Sequence, residues 1–178
     1  MSVDEATHWA LAARSGDPVA RAAFVRATHA EVWRFVGALV GTAGADDLTQ
    51  ETYLRAFRAL PSYQGRASAR TWLFGIAKRA CADHLRSTVR QRRLADRLNS
   101  HAAVSGGAEP DPAGALSTVQ LIASLPKARR TAFVLTQLLG LSYADAAEVE
   151  GCPVGTIRSR VARARDDLIL ALSRAGTG

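Results

Sequence analysis

The stretch from Leu141 to Leu168 constrains the fold more than any other part of the sequence, because it predicts two helices joined by a tight turn. Ser142 is a favoured N-cap residue, whose hydroxyl can accept a backbone N–H group of the first helical turn. Gly151 lies where the chain must reverse, a position that favours a residue able to adopt positive φ. Pro153 is tolerated in the first turn of the next helix. The stretch therefore predicts a helix-turn-helix.

The second of these helices has one apolar face and one basic face. Its apolar residues recur at helical spacing and are predicted to be buried; they are Ile157, Val161, Ala164 and Leu168. The opposite face carries Arg158, Ser159, Arg160, Arg163 and Arg165. An arginine-rich face is often only solvated, but these arginines begin at the helix N-terminus, the end that enters a major groove in helix-turn-helix proteins. We therefore expect this helix to contact DNA.

The charge balance favours the same class of partner. The 178 residues contain 23 Lys and Arg against 16 Asp and Glu, a net charge of +7, which favours nucleic acid or an acidic membrane surface. No apolar run approaches the ~20 residues that span a bilayer, and the first residues lack the basic start and apolar core of a signal peptide. Cys81 and Cys152 form no C-x-x-C pair. Reduced thiols in a cytoplasmic protein are therefore expected, with a redox role as the alternative.

The rest of the sequence predicts helices, because no segment alternates apolar and polar residues for long enough to suggest a strand. Helices are expected at about 3–14, 18–40, 47–60, 69 to beyond 86, 116–125 and 127–139, with N-caps at Asp17, Asp46 and Ser68. Residues 100–114 have little to bury and many helix breakers, so they predict a linker that can extend roughly 50 Å. The prediction is an all-α chain of two small helical bundles, at 1–98 and 116–178, joined by a flexible linker at 99–115.

The predicted N-terminal bundle interleaves basic and aromatic residues. Its cations outnumber Asp83 and Asp96; they are Arg66, Arg70, Lys78, Arg79, Arg86, Arg90, Arg92, Arg93 and Arg97. Basic residues release counterions from phosphates, and aromatic rings stack on unpaired bases at ~1–3 kcal/mol each. The aromatic residues nearby are Tyr63, Trp72 and Phe74. Since Trp72 and Phe74 could equally be core residues, the pattern alone gives weak support for binding to single-stranded nucleic acid.

The helix predicted at 46–60 has a different surface. Its inward residues are predicted to be Leu48, Tyr53, Phe57 and Leu60, which leaves Asp47, Gln50, Glu51, Leu54 and Arg55 facing outward. A polar face with both charge signs is usually only solvated. The exposed Leu54 within it suggests a protein-binding surface as the alternative.

Three stretches, taken together, resemble the bacterial extracytoplasmic-function (group 4) sigma-70 factors. Region 2.2 of that family resembles Asp46-Asp-Leu-Thr-Gln-Glu-Thr-Tyr-Leu-Arg-Ala-Phe-Arg-Ala-Leu60. Regions 2.3 and 2.4 resemble Ala69-Arg-Thr-Trp-Leu-Phe-Gly-Ile-Ala-Lys-Arg-Ala-Cys-Ala-Asp-His-Leu-Arg86. Region 4.2 resembles Leu141-Ser-Tyr-Ala-Asp-Ala-Ala followed by Gly151-Cys-Pro-Val-Gly-Thr-Ile-Arg-Ser-Arg-Val-Ala-Arg-Ala-Arg165. The order and spacing of the three stretches match those of the family. The Ala- and Arg-rich composition and the motif sequences suggest an actinobacterial member near the SigC branch.

The resemblance implies a sigma factor that binds core RNA polymerase, recognises −35 and −10 promoter elements, assists melting and initiates transcription. It implies contact with the β′ clamp helices through Asp47, Gln50, Glu51, Leu54 and Arg55, and a further contact with the β flap. It implies capture of the −10 non-template strand by Arg70, Trp72, Lys78, Arg79 and Arg86. At the −35 duplex, Arg158, Ser159 and Arg163 would face base edges, and Thr156, Arg160 and Arg165 would face phosphates.

The resemblance also implies a role for the linker and a further partner, and the sequence departs from the family pattern at two positions. Glu109 and Asp111 of the linker would mimic RNA phosphates in the polymerase cleft, and an anti-sigma factor is a further partner to test. Arg79 stands where many relatives carry Asn, beside the pocket for a flipped −10 base. Glu150 stands where Leu or Met is usual, and a carboxylate there loses ~1 kcal/mol or more of apolar burial unless it reaches solvent.

Two other classes of protein share some of these features. A repressor or activator would carry a similar helix-turn-helix, but its N-terminal half would be a sensor or dimerisation domain. An enzyme such as a nuclease would need a carboxylate pair or metal spacing, whereas the histidines are scattered at His8, His29, His84 and His101. Cys81, Asp83 and His84 are close in sequence but face different directions on one helix. The sequence therefore predicts no enzyme activity and no cofactor or metal.

Overall fold

In a computed structural model, residues 4–98 and 118–175 are described, and over these ranges the chain forms helices without strands. The helices are α1 Glu5–Ala12, α2 Pro18–Val40, α3 Ala45–Ala59, α4 Ala69–Leu98, α5 Thr118–Ser124, α6 Lys127–Phe133, α7 Tyr143–Glu150 and α8 Val154–Ala175. Short 3₁₀ turns follow α1, α2 and α3, and a π-helical turn at Val134–Leu138 continues α6. The predicted all-α fold is confirmed. Glu109 and Asp111, with the rest of the predicted linker, lie outside the described residues.

Side-chain caps set the starts of α2 and α4 as predicted. An Asp17 carboxylate oxygen accepts the Val19 N–H at 2.9 Å, and the Ser68 hydroxyl oxygen accepts the Thr71 N–H at 3.1 Å. The predicted cap at Asp46 is wrong, because a 3₁₀ turn leads directly into α3 and the helix begins at Ala45, two residues before the predicted start. Asp46 instead accepts the Trp33 indole N–H at 2.8 Å, which ties α3 to α2.

The core of the N-terminal bundle is formed by aromatic and aliphatic residues of α2, α3 and α4. Phe35 and Phe74 are fully buried and meet edge to face, with ring centroids 5.2 Å apart. Phe74 is therefore a core residue, which settles one of the alternatives left open by the sequence. The Tyr53 hydroxyl lies 2.7 Å from the Thr28 hydroxyl, and burial raises the pKa of Tyr53 to about 12.

The predicted helix-turn-helix is present in the C-terminal bundle. The Ser142 hydroxyl oxygen accepts the Asp145 N–H at 3.0 Å, and Gly151 ends α7 with a φ of 65°. The Cys152 N–H then donates to the Ala147 carbonyl at 3.1 Å, which closes the turn. Along α8, Ile157, Val161 and Ala164 are buried, and Leu168 is half-buried. The capping and turn predicted for this motif are therefore confirmed, as is the predicted burial of Ile157, Val161 and Ala164.

The two bundles also pack directly against each other, which the sequence did not predict. The contact is formed mainly by α4 against α7, with α2 against α5 and α6. At its edges, the Thr71 hydroxyl donates to an Asp145 carboxylate oxygen at 3.1 Å, and Arg70 donates to the Leu139 carbonyl oxygen at 2.7 Å. Apolar residues of both bundles form one continuous cluster across this contact. None of the helices that the structure describes is long and apolar enough to cross a membrane.

The two cysteines differ in exposure, which gives a test of the fold. Cys81 is buried and burial raises its pKa to about 11, whereas Cys152 is half-buried at the helix-turn-helix turn. Because the thiolate is the reactive form, a small thiol reagent at about pH 8 should modify Cys152 and leave Cys81 unmodified in the folded chain. Peptide mass spectrometry measures both sites, and guanidinium chloride should make Cys81 reactive. Equal modification of the two in the folded chain would contradict the burial of Cys81.

Candidate nucleic-acid interface

The N-terminal half of α8 presents a basic face to solvent. Arg158, Ser159, Arg163 and Arg165 are exposed and Thr156 is half-buried, because Ile157 and Val161 turn the opposite face inward. Within the described ranges, Arg158 and Arg163 form no hydrogen bond or ion pair. Arg165 donates to the Gln137 side-chain oxygen at 2.7 Å. Arg158 and Arg163 are therefore available to a ligand without breaking an intramolecular contact.

Arg160 differs from Arg158, Arg163 and Arg165, because its guanidinium forms an ion pair with a carboxylate. Its Nη1 atom lies 2.7 Å from Glu150 Oε2 and 3.8 Å from the Cys152 Sγ atom. The Glu150 side chain is only 7% exposed. The carboxylate thus does not reach solvent, and two ion pairs compensate its charge.

Lys78 of α4 is the second partner of Glu150. Its Nζ atom donates to the carbonyl oxygens of Val149 at 3.2 Å and Glu150 at 3.0 Å, at the C-terminal end of α7. It also lies 3.1 Å from Glu150 Oε1, an ion-pair contact without the geometry of a directed hydrogen bond. A cation is favoured at this end of a helix, where unpaired carbonyl groups carry partial negative charge. Lys78 therefore binds the C-terminal bundle in this conformation.

Arg70 is held in the same interface. Its guanidinium forms a two-pronged ion pair with Glu31 of α2, with N–O distances of 2.8 and 2.9 Å. The same side chain donates to the Leu139 carbonyl oxygen of the C-terminal bundle. Two of the five residues predicted for the −10 element, Arg70 and Lys78, are thus occupied by contacts between the bundles.

The other two basic residues predicted for the −10 element, Arg79 and Arg86, are exposed on α4. They line an open groove of about 400 Å³ between α3 and α4, together with Arg55 and Asp83. Arg79 has no partner among the residues described, and Arg86 pairs with Asp83. Hydrogen bonds from Arg55 and then Arg86 hold the pKa of Asp83 below its usual value. The groove therefore keeps a net positive charge.

Trp72 is half-buried and packs against a buried tyrosine. Its ring centroid lies 4.9 Å from that of Tyr63, whose hydroxyl donates to the Ala67 carbonyl oxygen at 2.7 Å. Tyr63 therefore fixes both the loop before α4 and one side of the indole. Because Trp72 keeps an exposed part, the choice between core packing and base contact stays open for this residue.

The outward face of α3 combines an apolar residue with a paired polar network. Asp47, Gln50 and Leu54 are exposed, and Leu54 keeps 46% of its surface in solvent. Arg55 donates to Glu51 at 2.7 Å and to Asp83 at 2.6 Å, and these hydrogen bonds, that to Glu51 first, raise the pKa of Arg55. Glu51 and Arg55, which were also predicted to face outward, are half-buried. Its arginine is fixed in place by acids from two helices.

Acidic partners of these cations were not identified from the sequence. Glu31 and Asp83 lie on ordinary helical stretches, and no sequence signal distinguishes them from solvated acids. Glu150 did carry a signal, since it replaces an apolar residue at the end of the first helix of the motif. That signal pointed to the residue but not to its partners, because Lys78 lies 72 residues earlier in the chain.

Comparisons with known proteins cover both bundles. The family model described as "Sigma-70 region 2" matches residues 24–91, and "Sigma-70, region 4" matches residues 116–168. The chain is 51% identical over 170 residues to the ECF RNA polymerase sigma factor SigC of Mycobacterium tuberculosis (strain CDC 1551 / Oshkosh), covering 94% of this chain and 92% of the relative. It is 34% identical over 154 residues to the ECF RNA polymerase sigma-E factor of Escherichia coli (strain K12), covering 80% of each.

Two solved structures share the fold. CnrH in complex with the cytosolic domain of CnrY matches with a TM-score of 0.72 at 23% identity, covering 96% of this chain and 99% of that one. The sigma factor RpoE of Bartonella quintana, in complex with the anti-sigma factor NepR, matches with a TM-score of 0.62 at 29% identity, covering 84% and 96%. The arrangement of both bundles therefore has counterparts among solved structures.

Proposed function

The chain belongs to the extracytoplasmic-function group of sigma-70 factors, near the SigC branch, and we propose that three of its surfaces divide the work of such a factor. As a member of this family it recognises promoters and initiates transcription of a specific gene set with core RNA polymerase. The observation that carries the residue assignments is the pair of exposed, unpartnered arginines, Arg158 and Arg163, on the second helix of a helix-turn-helix. That helix, α8, is proposed to read the −35 element.

On α8 we assign Arg158, Ser159 and Arg163 to base edges in the major groove. Arginine is suited to this role because its planar guanidinium can donate two hydrogen bonds to one guanine. Phosphate contacts are assigned to Thr156, Arg160 and Arg165, which fix the position of the helix on the duplex without reading sequence. Arg160 can reach phosphate only after leaving Glu150, and Arg165 only after leaving Gln137.

On α4 we assign the −10 element to Arg70, Trp72, Lys78, Arg79 and Arg86. The groove beside Arg79 and Arg86 is open in this conformation, so these two residues can attract the DNA strand directly. Lys78 becomes available when α7 moves away from α4, whereas Arg70 must leave both the Leu139 carbonyl oxygen and Glu31 of its own bundle. Binding of the full −10 element therefore requires the bundles to separate.

The outward face of α3 is proposed to bind the β′ clamp helices through Asp47, Gln50, Glu51, Leu54 and Arg55. Leu54 supplies apolar surface, and the paired Glu51 and Arg55 supply charges in fixed positions. The β flap would bind the C-terminal bundle. The chain would act in the cytoplasm as an initiation subunit, with the chemistry of RNA synthesis left to the polymerase.

Two further assignments stay predictions. The bundle limits are proposed at 1–98 and 116–178, with a flexible linker at 99–115. An anti-sigma factor is proposed as a further partner, because one structural neighbour, the sigma factor RpoE of Bartonella quintana, is described in complex with the anti-sigma factor NepR. A partner of this kind would bind the same helices as the polymerase or the promoter.

In vitro transcription tests the function directly. Purified chain added to core polymerase should produce run-off RNA from a promoter with matched −35 and −10 elements, whereas core polymerase alone should not. Templates with either element scrambled serve as controls and should lose the product. Equal RNA synthesis with and without the chain would contradict its role in initiation.

Arg158→Ala should weaken use of the −35 element and relax base choice at one position. The loss of one arginine contact to a base is expected to cost ~1–3 kcal/mol. A library of −35 sequences, transcribed by the reconstituted holoenzyme, measures the change in preference. Arg174→Ala is the matched control, because Arg174 is an exposed arginine in the last turn of the same helix. An unchanged preference for Arg158→Ala would show that the side chain does not read the promoter.

A further inference from the structure

Glu150 brings together one cation from each of the two helices assigned to DNA. It is the last residue of α7, and only 7% of its side-chain surface is exposed to solvent. One carboxylate oxygen lies 2.7 Å from Arg160 of α8, and the other lies 3.1 Å from Lys78 of α4. A single acid thus neutralises a residue assigned to the −35 element and a residue assigned to the −10 element.

We propose that Glu150 competes with promoter DNA for Lys78 and Arg160. The inference rests on the assignment of these two cations to promoter DNA under the proposed function. Carboxylate and phosphate oxygens accept the same charge-assisted hydrogen bonds from ammonium and guanidinium groups. DNA can therefore bind Arg160 only by replacing Glu150 as its partner, and the same holds for Lys78 while the bundles are in contact.

Arg160 lies where this exchange requires only a change of side-chain conformation. It is one helical turn from Thr156 and from Arg163, which lie on the same side of α8 as the proposed DNA contacts. A guanidinium released from Glu150 would join that basic face and add a phosphate contact to it. Glu150 is therefore a positioning residue for −35 recognition, because it acts through Arg160 and does not touch DNA.

The two pairs differ in when they break. Lys78 belongs to the other bundle, so its contact with Glu150 is lost when the bundles separate. Arg160 and Glu150 belong to the same helix-turn-helix, so their contact persists after separation and ends only when phosphate arrives. Glu150 therefore lowers the charge of the −35 surface in the free chain and in the separated state alike.

The dependence of DNA affinity on salt distinguishes this competition from a structural role. Each protein cation that neutralises a duplex phosphate steepens the slope of log affinity against log salt by about 0.9. For Glu150→Gln in the full chain, we expect the slope with a −35 duplex to steepen by up to about 0.9, because Glu150 retains Arg160 in a fraction of the native complexes, and the affinity at low salt to rise. Fluorescence anisotropy over a series of salt concentrations measures both quantities.

Glu148→Gln is the matched control, because it makes the same change at an exposed acid two residues away on the same helix. It should leave the slope as in the native chain. A slope for Glu150→Gln equal to that of Glu148→Gln would overturn the proposal. Glu150→Leu should steepen the slope in the same way while offering apolar packing, so a folding defect of one variant, seen by circular dichroism, does not prevent the test.

Arg160→Gln, made in the native chain and in the Glu150→Gln chain, separates this inference from the proposed function. Competition predicts that Arg160→Gln reduces the salt slope more in the Glu150→Gln chain. An equal reduction in both chains would overturn the competition and keep Arg160 as a phosphate contact. No reduction in either would remove Arg160 from the DNA interface and the competition with it, while Arg165→Gln tests the remaining phosphate assignment independently.

Discussion

Leu54→Asp should remove most of the transcription that depends on this chain. Leu54 lies on the outward face of α3 with 46% of its surface exposed, between the exposed Gln50 and the paired Arg55. We expect Leu54 to be a hot spot of this interface, where truncation of a residue costs about 2 kcal/mol or more, and a buried, unpaired carboxylate adds a desolvation cost. We therefore expect core polymerase to bind the variant roughly 30-fold or more weakly, given about 1.4 kcal/mol per tenfold change.

Val19→Asp provides the matched control for this variant. Val19 is a 68% exposed apolar residue in the first turn of α2, where a new carboxylate is tolerated. Co-purification with core polymerase and run-off transcription should both fall for Leu54→Asp and stay unchanged for Val19→Asp. Binding to an isolated −35 duplex should be the same for both variants. Native polymerase affinity in Leu54→Asp would remove α3 from the proposed interface.

The parts of the fold that the sequence predicted are those fixed by local chemistry. Ser142, Gly151 and Pro153 act on backbone groups within a few residues of themselves, so the sequence pattern contains the whole interaction. The burial of Ile157 and Val161 follows from helical spacing in the same way. The exposure of Arg158 and Arg163 can therefore be predicted without knowing the tertiary structure, because burial of one face of a helix leaves the opposite face in solvent.

The parts that the sequence did not predict depend on contacts between distant residues. Arg70 and Lys78 were recognised as basic residues of the −10 surface, but their partners lie on α2 and on the C-terminal bundle. Asp46 has the composition of an N-cap, yet the indole of Trp33, 13 residues earlier, is its partner. A pattern gives the type and face of a residue. It does not give the docking of two bundles, which decides which cations remain free.

Glu150 shows, in one residue, what a sequence pattern predicts and what it does not. Its expected cost assumed that a charged side chain at an apolar position must reach solvent or lose burial free energy. The structure buries the carboxylate and supplies two cations to it, one of them from outside the motif. The departure from the family pattern was therefore informative about position, and tertiary structure was needed to explain it.

Phe74→Ala is expected to cause the largest loss of stability among these variants, about 3–5 kcal/mol in the free energy of unfolding. Phe74 is 1% exposed and packs edge to face on Phe35, so truncation removes apolar contacts and leaves a cavity between α4 and α2. Urea unfolding, followed by circular dichroism, measures the change. Because α4 also carries Arg79 and Arg86, binding to a forked −10 DNA should weaken at urea concentrations that leave the native chain folded.

Leu94→Ala is the control for this substitution, since Leu94 lies on the same helix with 58% of its surface exposed. Removing an apolar side chain from a solvent-facing position should change the free energy of unfolding by no more than about 0.5 kcal/mol. The two variants lower the apolar content of one helix in similar ways and differ chiefly in burial. Equal unfolding midpoints would mean that Phe74 does not occupy the core, and α4 would then lack the fixed orientation that directs Arg79 and Arg86 towards the groove.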